Sequence, residues 1–443
     1  MTESPETQTP PPKKKKRRGG FFDSVAFVLL LLAVLVSPTQ WQLPLGEWLG
    51  GLHEKAAALP AVTALDLLMA LCFVCFALDV LIRWRWKRVR WLPLPILVLV
   101  ILAGMSIARV DPESGLRGES IKEFVQWIQI FVIGYLVVAN IAAGRRMTAV
   151  IAVLGVAMAL AVGFAAVQYA QPDIDPVEVR STFDNRNSYS AYMAIALPLL
   201  WGGVVFMKNT AERIGLAIVA VAALVTMLSA GAVVAALAGM LVVGAIRSRG
   251  WVFGLVGVVL AAVVLPQVIA IRNPEAIDVW PRPDHLTILD ESVSPIAVDP
   301  TRDDMAIPDP RYYEWAAATK AFQYEYVSAD PRRVLARRML LGTGIGTFQK
   351  NIGEYYDALS MKYNFMKPAV NLTEPGTNSL YVVMAISVGL PAVAALIWLG
   401  AEGLGRALRR GMVAEEAFDR AMFVGAAGGL VSLAIVSIFA MPL

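Results

Sequence analysis

Charge, cysteine and histidine are all scarce in this sequence, and each shortage excludes something. Only 17% of its 443 residues are charged while 57% are hydrophobic; soluble domains carry about 25% charge. A string of soluble globular domains is excluded, and a mean hydropathy of +0.60 indicates a chain that crosses a membrane many times. The 2 cysteines, Cys72 and Cys75, have CxxC spacing but lie inside the apolar run LMALCFVCFAL, with no second pair. They read as packing residues rather than a metal site, and no disulfide framework supports any loop. The 2 histidines, His53 and His285, read as surface residues. A formal net charge of +4 is small; where the charges lie says more.

Long apolar runs are what the chain has in quantity. In lipid, only helices and closed barrels satisfy their own backbone groups, and these runs exceed the 9–11 or so residues of a barrel strand. The fold class expected is an all-α polytopic membrane protein of about 11–12 transmembrane helices. The spans fall at 21–38, 61–82, 92–109, 121–141, 148–170, 188–207, 213–229, 231–247, 251–271, 377–400 and 421–441. Residues 1–20 form a disordered basic tail whose run Lys13 to Arg18 reads as a cytoplasmic anchor rather than a nucleic-acid patch. With that end inside, the inner connections RWRWKRVR (83–90), GRR (144–146), KNTAERIG (208–215), RSR (247–249) and GRALRRG (405–411) are all basic, as the positive-inside rule asks. Trp41, Trp48, Trp84, Trp86, Trp91 and Trp251 fall near span ends, where interfacial aromatics belong. The domain map is a tail (1–20), transmembrane helices one to nine (21–271), a long outer loop (272–376) and C-terminal transmembrane helices (377–443).

That loop is the organising feature, roughly a hundred polar, Pro-punctuated residues where connections are usually far shorter. Arg311–Tyr326, Asp330–Met339 and Glu354–Phe365 read as amphipathic helical pieces, and Leu341 to Gly346 must turn sharply. An outer surface should be poor in Arg and Lys, yet three outer segments carry arginines: Arg180 with Arg186, Arg311, and the group Arg332, Arg333, Arg337 and Arg338. A guanidinium is a planar fork that grips phosphate and stays charged. Arg180 and Arg311 therefore suggest an anionic ligand such as a lipid diphosphate; the third group reads as solvated or facing lipid headgroups.

Three stretches then resemble a family. RSTFDNRNSYSAYMAIALPLL (180–200) resembles the Arg-containing, Asn-rich run into a span of O-antigen ligase-like proteins, which include lipopolysaccharide O-antigen ligases and O-antigen polymerases. Arg311 followed by Trp315, then LLGTGIGTF (340–348), is similar to that family's Arg-x-x-x-Trp and leucine–glycine-rich motif, and NSLYVVMAISVGLP (378–391) to the start of its next span. The resemblance covers residues 180–391 in order and membrane side. It implies a transferase at the periplasmic face of a bacterial inner membrane, multi-pass with its N-terminus cytoplasmic. A glycan would pass from an undecaprenyl-diphosphate carrier to an acceptor glycan or glycolipid, without metal, nucleotide or other cofactor and without nucleic acid as partner. Arg180 and Arg311 would bind the diphosphate.

The sequence departs from the family where a His usually opens the last motif: Asn378 stands there. Neither Asn378 nor its neighbour Thr377 accepts a proton at neutral pH, so a carboxylate must be the base. Glu374 is the first candidate, ahead of Glu314 and Asp184; a helix-capping role for Glu374 stays open. Lys122, Gln126 and Gln129 share one face of a span and either line a donor cavity, with Arg186, Asn187 and Tyr381, or bond between helices. Asp66 and Asp79 read as structural, Asp79 pairing with Arg83 four residues on. Three functions stay open: a ligase, a polymerase, and a non-enzymatic binder or transporter of lipid-linked glycans that has lost its base.

Overall fold

The computed structural model describes residues 20–39, 42–43, 62–84, 92–110, 115–140, 144–171, 179–183, 186–227, 229–248, 250–255, 338–348 and 379–439. Helix α1 (Phe21–Val36) is an unbroken apolar run. Two-residue strands β1 (Gln42–Leu43) and β2 (Val62–Thr63) then pair antiparallel, Gln42 opposite Thr63. Helix α2 (Ala64–Ile82) starts at a capping box: the Thr63 hydroxyl accepts from the Asp66 amide at 3.2 Å, and the Asp66 carboxylate accepts from the Thr63 amide at 2.9 Å. There follow α3 (Leu94–Ile107), α4 (Arg117–Asn140), α5 (Gly144–Ala170), α6 (Arg186–Phe206), α7 (Thr210–Thr226), capped by Asn209, and α8 (Ala230–Arg247). Towards the C-terminus lie α9 (Leu380–Ser387), α10 (Leu390–Val413) and α11 (Ala417–Phe439).

Apart from the small ladder, the protein is an all-α polytopic membrane protein. Among the described residues, 5 helices are long and apolar enough to cross a bilayer, the stretches Ala64–Ile82, Ser120–Ala139, Arg146–Tyr169, Asn187–Phe206 and Ala417–Ile438. Phe21–Val36, Leu94–Ile107 and Gly231–Arg247 are shorter apolar helices. The ninth expected span, 251–271, is described only to residue 255, where it is helical.

The structure departs from the sequence reading in several places, each with a local cause. The expected continuous span 377–400 is two helices. Gly389 takes φ +105°, a conformation closed to a helical L-residue, and Pro391 at the second position of α10 has no amide to continue the ladder. The expected loop GRALRRG (405–411) is helical inside α10, because its arginines have partners: Arg406 pairs with Glu402 one turn back, and Arg410 lies over the Phe423 ring at 5.8 Å. Gly144 to Arg146 likewise belong to α5 rather than to a turn. The β1–β2 ladder was not foreseen.

Helix α11 is the centre of the packing, lying against α6, α8 and α10. Small residues allow this approach: a Cβ at Gly428 would sit 2.6 Å from the Gly239 carbonyl of α8 and 2.8 Å from Pro198 of α6. The Ser432 hydroxyl of α11 donates to the Ala235 carbonyl of α8 at 2.8 Å. A second cluster joins α1, α2, α4 and α5, where Cys72 is buried with its thiol directed at the Ala26 carbonyl, 3.2 Å away. At the N-terminal end of α1, Asp23, 3% exposed, takes two bonds from Arg146 of α5 at 2.8 and 3.1 Å. Asp79 pairs with Arg83 at 3.4 Å, as the spacing predicts. A third cluster joins α3, α9 and α10 around Ile345.

Candidate functional site

Two segments of the resemblance fold into fixed backbone devices. The first is the turn Val179–Phe183 between α5 and α6. Gln168, in the last turn of α5, accepts from the amides of Arg180 (3.2 Å) and Ser181 (2.7 Å) and donates to the Ser181 carbonyl at 2.8 Å. The Ser181 hydroxyl reaches back to the Ala161 carbonyl at 2.6 Å, and Thr182 donates to the Pro38 carbonyl beyond α1 at 2.7 Å. These bonds hold Ser181 at φ +58°, an unusual setting for a residue with a side chain. Val179 and Phe183 are buried on either side, Phe183 with its ring 5.3 Å from Tyr192 and 5.9 Å from Tyr189. Tyr189 in turn bonds Thr226 of α7 at 2.6 Å. Between these anchors Arg180 is exposed. The turn fixes the backbone that carries this exposed residue.

The second device is the glycine-rich turn Gly342–Gly346, seated on the break between α9 and α10. The Thr343 amide donates to the Ile386 carbonyl (2.7 Å) and the Gly344 amide to the Ser387 carbonyl (3.0 Å), which satisfies the last carbonyls of α9. Gly342 has φ +67° and packs on Ser387; a Cβ at Gly389 would sit 2.5 Å from the Leu340 carbonyl. From the other side, the Ser106 hydroxyl of α3 accepts from the Ile345 amide at 3.1 Å, and Val110 lies against Gly344. Residues 340–348 and 379–391, separate in the sequence, thus form one unit with the C-terminal end of α3.

The remaining candidates are distributed as follows. Arg186 opens α6 and Asn187 is exposed beside it. Lys122 and Gln126 are exposed on α4, the least buried of the five long helices, whereas Gln129 bonds Asp66 of α2. Tyr381 donates its hydroxyl to the Ala434 carbonyl of α11 at 3.1 Å, which ties α9 to the central helix. Arg311, Glu374 and Asn378 lie outside the described residues, as do Trp315, His53, His285, Asp184 and Glu314. Among the described residues no three His, Cys, Asp or Glu side chains gather into a metal-holding group.

Sequence reasoning missed Gln168 and Ser106; no motif marks either. No protein-family model matches the chain, and no curated protein matches it.

Proposed function

We propose that the chain is a glycan transferase of the O-antigen ligase and polymerase kind, working at the periplasmic face of a bacterial inner membrane. The observation that carries the reading is the interlock of the glycine-rich turn with the helix break at Gly389. Both halves come from the resemblance, and Gly342 and Gly389 each sit where the other segment's backbone leaves no room for a Cβ. The turn that presents Arg180 adds a cation on a rigid support. In the reaction, an acceptor hydroxyl attacks the anomeric carbon of the lipid-linked glycan and the bond pair leaves with the diphosphate. Arg180 and Arg311 hold the charge that develops there, and Glu374 takes the acceptor's proton. The donor is a polyprenyl-diphosphate glycan, and the acceptor a glycan or glycolipid.

The test is the purified protein with a polyprenyl-diphosphate oligosaccharide, with and without an acceptor. Lengthening without added acceptor identifies a polymerase; transfer only to a distinct acceptor identifies a ligase. Arg180→Gln and Arg311→Gln abolish transfer, and Glu374→Ala costs far more than Asn378→Ala. Wild-type turnover in Glu374→Ala removes that residue as base. The second reading is a non-enzymatic binder of lipid-linked glycans, favoured by Asn378 standing where the family has its histidine; binding without turnover over a panel of donors and acceptors puts it first.

A further inference from the structure

We propose that the exposed side of α10 around Arg406, Arg409 and Arg410 binds the headgroup of an anionic phospholipid. The site is independent of the transferase reading. Residues three and four apart on a helix are neighbours, with Cβ atoms about 5–6 Å apart, so the three guanidiniums share one surface. All three residues are exposed. Glu402 is paired with Arg406 alone. Arg409 donates its Nε to the Gly405 carbonyl of its own helix at 3.2 Å. Arg410 lies over the Phe423 ring at 5.8 Å, and a ring offers its N–H donors no strong acceptor. Among the described residues neither Arg409 nor Arg410 has a carboxylate partner.

The depth of these arginines selects the anion. Arg410 rests on Phe423, and a Cβ at the adjoining Gly411 would sit 2.7 Å from Val424. Both partners lie in the second turn of α11, whose membrane-spanning stretch starts at Ala417, so the group sits about 9 Å along that stretch. A Cβ on Gly202 of α6 would be 2.5 Å from the Ala421 carbonyl, which places this level beside the end of α6. Along the same side of α10, apolar side chains are exposed before the arginines, at Ile397 and Trp398, and after them, at Met412 and Val413. Cations set among lipid-facing apolar residues reach for the phosphates of the nearer leaflet. The connections at this end, 208–215 and 247–249, are basic ones, and basic pockets on the cytoplasmic side take phospholipid headgroups. The carboxylates that follow α10 are Glu415, Glu416 and Asp419, at the N-terminus of α11, where the helix dipole favours them. The planar fork of a guanidinium matches the oxygens of a phosphate.

The experiment is native mass spectrometry of the full-length protein in detergent micelles, titrated with phosphatidylglycerol and, separately, with phosphatidylcholine. The wild type binds phosphatidylglycerol about five-fold more tightly, or better. Arg409→Gln, which disturbs no contact with another helix, weakens phosphatidylglycerol about five-fold, the loss expected for one basic residue at a lipid headgroup. Arg409→Gln with Arg410→Gln weakens it about ten-fold or more and leaves phosphatidylcholine unchanged. Arg409→Lys with Arg410→Lys, which keeps both charges and controls for the lost Phe423 contact, retains most of the preference. Lys208→Gln, which removes an exposed cation at the same end, keeps the wild-type affinity. An equal loss in Lys208→Gln would mean a response to net charge and overturns the site. Equal affinity of the wild type for the two lipids overturns it too, as does wild-type affinity in the double glutamine variant. Displacement of phosphatidylglycerol by an equal concentration of glycerol 3-phosphate overturns the assignment to a lipid. Binding in a micelle reads the site whichever way the bundle faces, so its failure is distinct from a failure of the topology.

Discussion

Gln168 commits its whole side-chain amide to two consecutive residues, and Arg180 is one of them. The consequence separates two substitutions that would otherwise look alike. Arg180→Gln keeps the backbone bond to Gln168, so transfer is lost while the thermal unfolding temperature in detergent falls less than it does in Gln168→Ala. Gln168→Ala removes three hydrogen bonds and frees the strained Ser181. At a net 0.5–1.5 kcal/mol or so per bond, it destabilises by about 2–3 kcal/mol and weakens transfer through lost positioning. Both quantities come from one preparation: a melting curve and a donor-turnover assay. An unchanged melting temperature in Gln168→Ala would mean that the turn is held by Ser181 and Thr182 alone. The buried pair Asp23–Arg146 obeys a different rule. Asp23→Asn takes the buried carboxylate from Arg146, which is itself 25% exposed and lies over the Phe27 ring, and costs about 1–3 kcal/mol, whereas the double change Asp23→Leu with Arg146→Met recovers most of it.

For the elements, the α9–α10 break is decided by backbone geometry that hydropathy does not report. Residues 377–400 read as one apolar run, and apolarity is blind to φ; the Gly-Leu-Pro step at 389–391 was the available signal, and it marks the break. Gly389→Ala forces a side chain into a φ of +105° against the Leu340 carbonyl, and is expected to cost about 1–3 kcal/mol and unseat the glycine-rich turn. Gly400→Ala, in the interior of α10 with open space around it, is neutral or stabilising by about 0.5–1 kcal/mol. Limited proteolysis near residue 342 reads the first effect directly. The charged stretch 405–411 failed in the opposite sense. Its arginines suggested a loop, but they stand on a helix surface where Glu402 and Phe423 receive them, and composition alone does not distinguish the two. Where the run was long, apolar and bounded by caps, as at Thr63 or Asn209, sequence and structure agree to within a few residues. Gln168 was illegible because its role depends on a turn twelve residues away.

At the scale of the molecule, the alternation of basic and non-basic connections sets an orientation that can be read chemically. Single cysteines in place of Arg117 and Lys208, both exposed, should respond oppositely to a membrane-impermeant maleimide applied from outside: Arg117→Cys labels and Lys208→Cys does not. Equal labelling would undo the proposed topology, and with it the side on which the glycine-rich turn works. Cys72 is buried but Cys75 only partly so, and both are replaced by alanine before the single cysteines are introduced.

The contact of Gly428 with Gly239 and Pro198 also has a history in time. Helix α11 leaves the ribosome after every other described helix, yet it fills the groove that α6 and α8 form around those residues. At about 5–20 residues per second, α6 is made roughly 10–45 s before the helix that completes its packing. For that interval its small-residue face must be sheltered by lipid or by the insertion machinery. Biogenesis of this bundle therefore ends at its centre, and a lesion such as Gly428→Val acts as a defect of assembly that leaves earlier helices inserted but unjoined.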